Sequence, residues 1–128
     1  MIAISPAHAE ACLQARRGIL LTGNGIPAIQ LYDGEQPVPG GPPDGALIAS
    51  AGIASVVITG GVMLITLVSA PVLVQATGTP TWARIVAADG SWWMDGDASA
   101  DPGALVTLDT PGPYYYGGRI AIDSVVIA

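Results

Sequence analysis

The rhythm of apolar and polar positions changes once along this chain. From His8 to Arg17 the sequence is rich in Ala, Glu, Gln and Arg, residues that sit well in a helix. Ser5 suits the cap and Pro6 suits the first helical position. Gly18 is the expected stop, with Arg16 and Arg17 at the negative end of the helix dipole. The pattern predicts one short helix over 6–17, with Ala9, Cys12 and Leu13 as its narrow apolar face. Cys12 reads there as a small buried residue.

Beyond Gly25 the pattern is that of strands. Pro27 to Tyr32 is a short strand stopped by Asp33-Gly34. Residues 35–45 hold four prolines and three glycines and read as an ordered, irregular loop or arm. Ala46 to Ala54 is apolar and small. Ser55 to Thr59 and Val62 to Val68 flank Gly60-Gly61 as a hairpin. Val72 to Ala76 is a further strand. Thr81 to Ala87 and Ser91 to Asp95 flank Asp89-Gly90, a second hairpin signal. Ala104 to Leu108 and Arg119 to Ile127 complete the set. Trp82, Arg84 and Val86 share one face of their strand, and Ala83 and Ile85 the other. In the last strand neither face is clearly polar, so both are expected to be covered. The fold class predicted is mainly β: a single domain over 1–128, an antiparallel β-sandwich or small barrel with one short N-terminal helix.

Composition sharpens this picture. Half the chain is apolar but only 11% is charged, against roughly a quarter in ordinary soluble domains. Such a surface either exposes apolar area or buries it against neighbours, which points to a homo-oligomer or a subunit of an assembly. Ten acids against four arginines, with no lysine, give a formal net charge of −6. No basic stripe exists for a nucleic acid, and an anionic membrane repels the chain. The stretch between Asp44 and Arg84 carries no charge, yet Gly60-Gly61, Pro71 and its Val, Ile and Thr content favour strands over a spanning helix. No secretory leader pattern opens the chain.

Candidate chemistry is sparse. His8 is the only histidine, and Glu10 is too near in sequence to face it on a helix, so no triad is expected. Cys12 is the only cysteine, which excludes an intrachain disulfide. Asp95, Asp97 and Asp101 cluster around Gly96 and could hold a partial calcium site. The full calcium loop fails, however, because Ala100 and Val106 stand where Gly and Glu are required. The cluster is therefore read as a turn, and no metal or cofactor is expected. A phosphate cradle is excluded, since no Gly-Lys-Ser/Thr occurs. Five of the aromatics fall in Trp92-Trp93 and Tyr114-Tyr115-Tyr116. Neighbours on a strand face opposite ways, so these five are the candidate interface residues, one of each run inside and another reaching a partner.

Three segments carry a resemblance. They are Ile29-Gln30-Leu31-Tyr32-Asp33-Gly34 before the Pro/Gly-rich stretch, Gly61-Val62 opening a strand, and Ala76-Thr77-Gly78-Thr79-Pro80-Thr81-Trp82-Ala83-Arg84-Ile85. Asp89-Gly90 and a closing Ser124-Val125-Val126-Ile127 follow. Together they resemble a group of small tailed-bacteriophage and prophage virion proteins, over about Ala9 to Ile127. The resemblance implies a non-enzymatic structural subunit, made in the host bacterial cytoplasm and incorporated in the virion. Capsid decoration, with the major capsid protein as partner, is the first expectation. A tail or neck component is the alternative, and a carbohydrate-binding β-sandwich module is a further one. Lysine-free composition, Trp92-Trp93 and the triple Tyr depart from the family pattern.

Overall fold

Strands this short need many neighbours, and here seven of them close on themselves. The computed structural model describes residues 5–68 and 71–127. Its elements are α1 (Pro6–Leu21), β1 (Ala28–Tyr32), β2 (Leu47–Thr59), β3 (Val62–Leu67), β4 (Val72–Leu73), β5 (Trp82–Val86), β6 (Trp92–Ser99), β7 (Val106–Leu108), β8 (Arg119–Ile120) and β9 (Ile122–Ile127). The barrel runs β1-β2-β3-β9-β7-β6-β5, and β4 and β8 form a separate two-stranded sheet. Of the two architectures the sequence left open, the chain forms the barrel. Its pairings are antiparallel except β6 with β7, a two-residue parallel contact of Ala98 with Val106 and Ser99 with Thr107.

Alternation fills the barrel. Ile29 and Leu31, Met63 and Ile65, Ala83 and Ile85, Val106 and Leu108, and Val125 and Ile127 all point inward and are buried. In β2 the inward set is Ala49, Ala51 and Ile53, then shifts to Val56. A bulge between Ile53 and Ser55 makes that change of phase and joins the two predicted segments into one strand. The β2–β3 turn uses Gly60 (φ 58°) and Gly61 (φ 80°), the backbone a two-residue hairpin turn demands.

The helix lies across one end of the barrel. Its first turn sits beside the β2–β3 hairpin tip, around Ile58–Gly61. Its last turn meets the β5–β6 hairpin, where the Ala88 amide donates to Leu20 O at 2.9 Å. Ser5 caps it, accepting from the His8 amide at 3.2 Å, and Pro6 opens it. Gly18 does not end it. Leu20 is fully buried, so the apolar contact carries the helix one turn further, to a cap at Thr22. Arg16 and Arg17 thus lie outside the last turn. Cys12 is exposed, contrary to expectation. Leu13 and Leu20 define the buried stripe, and Cys12 sits about 100° round the helix from Leu13.

The predicted last strand is also two pieces. Ile120 is buried against β4, Ala121 is exposed, and Val125 and Ile127 face the barrel interior. Ser124 and Val126 stay exposed, so only one face is covered. The long uncharged stretch supplies β2, β3 and β4, and no helix among the described residues is long and apolar enough to cross a membrane.

Replacing Leu20 by Ala should cost about 2–5 kcal/mol of stability in urea or thermal unfolding. Cys12→Ala should change it by less than about 0.5 kcal/mol.

Candidate functional site

The hairpin of β5 and β6 sets up the most structured polar cluster. Its turn is closed by the Gly90 amide on Ala87 O and by Ala87 N on Ser91 O, with Gly90 at φ 87°. Asp89 Oδ1 accepts from the Ser91 amide and hydroxyl, which holds the Asp89 carboxyl below the usual carboxylate range. Counting back along the ladder, Arg84 falls opposite Asp95. Both side chains point outward, since Ala83 and Ile85 take the interior.

On an ordinary barrel that outer face would meet water. Here the arm, residues 35–45, lies over it. Arg84 Nε donates to Asp95 Oδ1 at 2.8 Å and Nη2 to Oδ2 at 3.1 Å, a two-pronged pair. The same Nη2 donates to Gly41 O at 2.6 Å. The Gly40 amide in turn donates to Asp95 Oδ2 at 3.1 Å. The Asp95 side chain is left only 2% exposed. Burial pushes the Asp95 carboxyl up, but the bonds from Arg84 and Gly40 and the Arg84 charge outweigh it and hold the group below its ordinary value. Arg84 is raised, chiefly by its hydrogen bond to Asp95.

A stack continues the cluster. Trp82 is buried beneath the start of the arm, its ring 4.6 Å from Tyr32 and nearly parallel to it. Its Nε1 donates to Asp33 O at 3.2 Å, and the Arg84 guanidinium lies 5.3 Å from its centroid. Thr81 Oγ1 donates to Gly34 O, and Asp33 Oδ1 accepts from the Ala46 amide at 2.6 Å, which ties the two ends of the arm together. Residues of Ile29–Gly34 and Gly78–Arg84, distant in sequence, thus form one paired and stacked unit on β1 and β5.

The five aromatic candidates fall in different settings. Trp92 is half exposed and packs one face on Gly40, where a Cβ would come within 2.9 Å of its ring. Trp93 is half-buried against the core and donates from Nε1 to Arg16 O. Tyr114 is half-buried, its hydroxyl bonded to Thr110 O at 2.6 Å. Tyr115 and Tyr116 are 66% and 77% exposed. The tyrosine run is not extended. The Gly118 amide donates to Tyr115 O, closing a turn in which both outer tyrosines project. Strand alternation therefore does not govern them. Sequence reasoning passed over Arg84 and Asp95 as a pair, although counting outward from the Asp89-Gly90 turn places them face to face.

No protein-family model, curated protein or solved structure matches this chain. The chemistry of the site must be read from its own groups. Asp95 and Asp97 lie within β6, not in the turn expected for them. Asp95 is occupied by Arg84 and Gly40, and Asp97 Oδ1 accepts from the Leu105 amide at 3.0 Å. No group of three or more His, Cys, Asp or Glu able to hold a metal occurs among the described residues. The cluster positions a loop, with the Asp95 carboxylate taken up by Arg84 and the Gly40 amide.

Three outcomes follow. Arg84→Ala leaves a buried carboxylate without its partner and should cost about 3–5 kcal/mol. The Asp95 carboxyl titrates lower in the folded chain than in the unfolded one. Its stabilisation is therefore complete above the ordinary aspartate value of about 3.9 and is lost as pH falls through the depressed folded value. Acid titration followed by the fluorescence of Trp82 and Trp92, both of which border the pair and the segments it holds, in a Trp93→Phe background, should show that loss, and Asp95→Asn should remove it. Adding EDTA should leave the melting temperature unchanged, because both oxygens of Asp95 and Oδ1 of Asp97 are already engaged.

Proposed function

We propose that this protein is a non-enzymatic structural subunit of a phage particle, most readily a capsid decoration protein bound to neighbouring capsid subunits. One observation carries the reading: large apolar side chains stand exposed on separate faces of a surface with few charges. Val57, Leu64 and Val126 are direct cross-strand neighbours on the outside of β2, β3 and β9. Ile26, Val68 and Leu73 form a second group, Ile19 and Trp92 a third, and Tyr115 and Tyr116 a fourth. Scattered single exposures are ordinary, whereas clusters on several sides fit a subunit with several neighbours. The resemblance of the Ile29–Gly34 and Ala76–Ile85 segments to small virion proteins supports the same reading, and these segments build the arm's anchorage. Burying an aromatic such as Trp92 or Tyr116 at such a contact contributes on the order of 2–4 kcal/mol.

Mass spectrometry of purified virions tests this. A copy number comparable with that of the major capsid protein is expected for decoration. A far smaller, ring-like copy number moves the protein to the neck or tail, and its absence from particles overturns the reading. Tyr116→Ala should weaken attachment without lowering the melting temperature, since that side chain is mostly solvated in the isolated chain.

A further inference from the structure

We propose that the turn at the tip of the arm, Val38–Gly41, docks into an apolar groove beside Arg119 on a second copy of this chain. The inference rests on the assembly reading above and names one of its contacts. The turn is a preformed knob. The Gly41 amide donates to Val38 O at 2.8 Å, Pro39 holds the second position, and Gly40 has φ 75° in the third. That is the residue pattern of a type II turn. Arg84, Asp95 and Trp92 hold its two glycines against the barrel. Val38 is left 75% exposed on a fixed support. A knob already held in shape loses little freedom on binding.

The groove has about 350 Å³ of space. Gly52 forms its floor, where a Cβ would come within 3.3 Å of Val68 Cγ2 and 3.5 Å of Ile26 Cγ2. The absent side chain opens a slot between two exposed apolar residues. Leu73 and Arg119, cross-strand partners in β4 and β8, make the other wall. The space suits one branched side chain and the backbone that carries it.

Charge matches as well as shape. Arg119 is exposed and makes no ion pair among the described residues. Glu35 and Asp44, both exposed, lie on the same arm, near its two anchored ends, and give the segment that carries Val38 a negative charge. The groove lies on β2, whereas the arm covers β5 and β6. In the barrel order β5 is two places and β6 three places from β2, and Arg84, Asp95 and Trp92 hold the knob over those two strands. One copy therefore cannot fill its own groove. The contact is head-to-tail, and its repetition generates a ring or an open row of subunits.

Sedimentation velocity of the full chain over a concentration series tests this, with thermal melts as the folding control. The wild type should self-associate. Val38→Asp and Arg119→Glu should each weaken association by at least roughly tenfold with unchanged melting. Combining Arg119→Glu with Glu35→Arg and Asp44→Arg should restore it. A wild type that stays monomeric, association that survives both single changes, or a charge swap that restores nothing would each overturn the inference. Particle attachment is read separately. A monomeric wild type that still attaches to virions overturns this contact and leaves the assembly reading standing, whereas self-association through the knob without attachment does the reverse.

Discussion

The arrangement of the outer surface depends on one ion pair. A segment with four prolines between 35 and 45 has few amides to donate and no strand partner, so ordinary ladder hydrogen bonds cannot fix it. Arg84 and Asp95 solve this by offering the glycines of the arm one acceptor and one donor. The pair is covered by the segment it holds. Its desolvation is offset by a two-pronged geometry and by the extra backbone bonds, which is the condition under which a buried pair is tolerated. It follows that pair and arm are coupled: lifting the arm exposes the pair to water and weakens it, and breaking the pair frees the arm. Trp82 lies beside the same pair, and on the outside of the barrel it is stacked on Tyr32, lies near the Arg84 guanidinium and has its indole N–H satisfied by Asp33 O.

Inside, small residues set the shape. Ala49, Ala51, Ala83 and Ala98 are all buried, and the chain has no phenylalanine. A seven-stranded barrel has little interior width, and α1 adds Leu13 and Leu20 from one end. Gly96 is the sharpest instance. A Cβ there would come within 2.4 Å of Leu105 Cδ2, so its absence admits Leu105 from the link after β6. That seat, with the bond from the Leu105 amide to Asp97, returns the chain beside β6 and makes the short parallel contact with β7 that closes the barrel.

Local signals in the sequence located the elements well. The Ser5-Pro6 helix start, the Gly60-Gly61 and Asp89-Gly90 hairpins, and the alternation of Trp82 to Val86 all have local physical causes, and all are present. The errors came where packing at a distance decides. Gly18 looked like a helix end, but Leu20 two residues later is drawn into the core. Cys12 looked buried, but the stripe is fixed by Leu20, which the shorter helix did not include. Asp95 and Asp97 looked like a turn because carboxylates are poor strand formers, and only the covering arm and the Leu105 amide explain their place in β6. The arm itself was legible as ordered and irregular, while the side of the barrel it would cover was not.

Closure of the barrel bears on how the molecule associates. An open sheet exposes a row of unpaired backbone groups, to which almost any extended chain can add. Here the seven barrel strands each have a neighbour on both sides, which leaves far less edge for such promiscuous pairing. Contacts must then be made mainly through side chains, whose shape and charge are specific to each face. The row Val57, Leu64 and Val126 lies on a face of Ser, Thr and Val residues without charge, whereas the slot between Ile26 and Val68 is bordered by Arg119. The two faces therefore differ in the surface that would match them: the first is flat and apolar, and the second, on the contact proposed above, takes a fitted knob with a carboxylate nearby. A small, charge-poor domain can in this way carry several apolar contacts without becoming generally adhesive, because each face accepts only a surface that matches it.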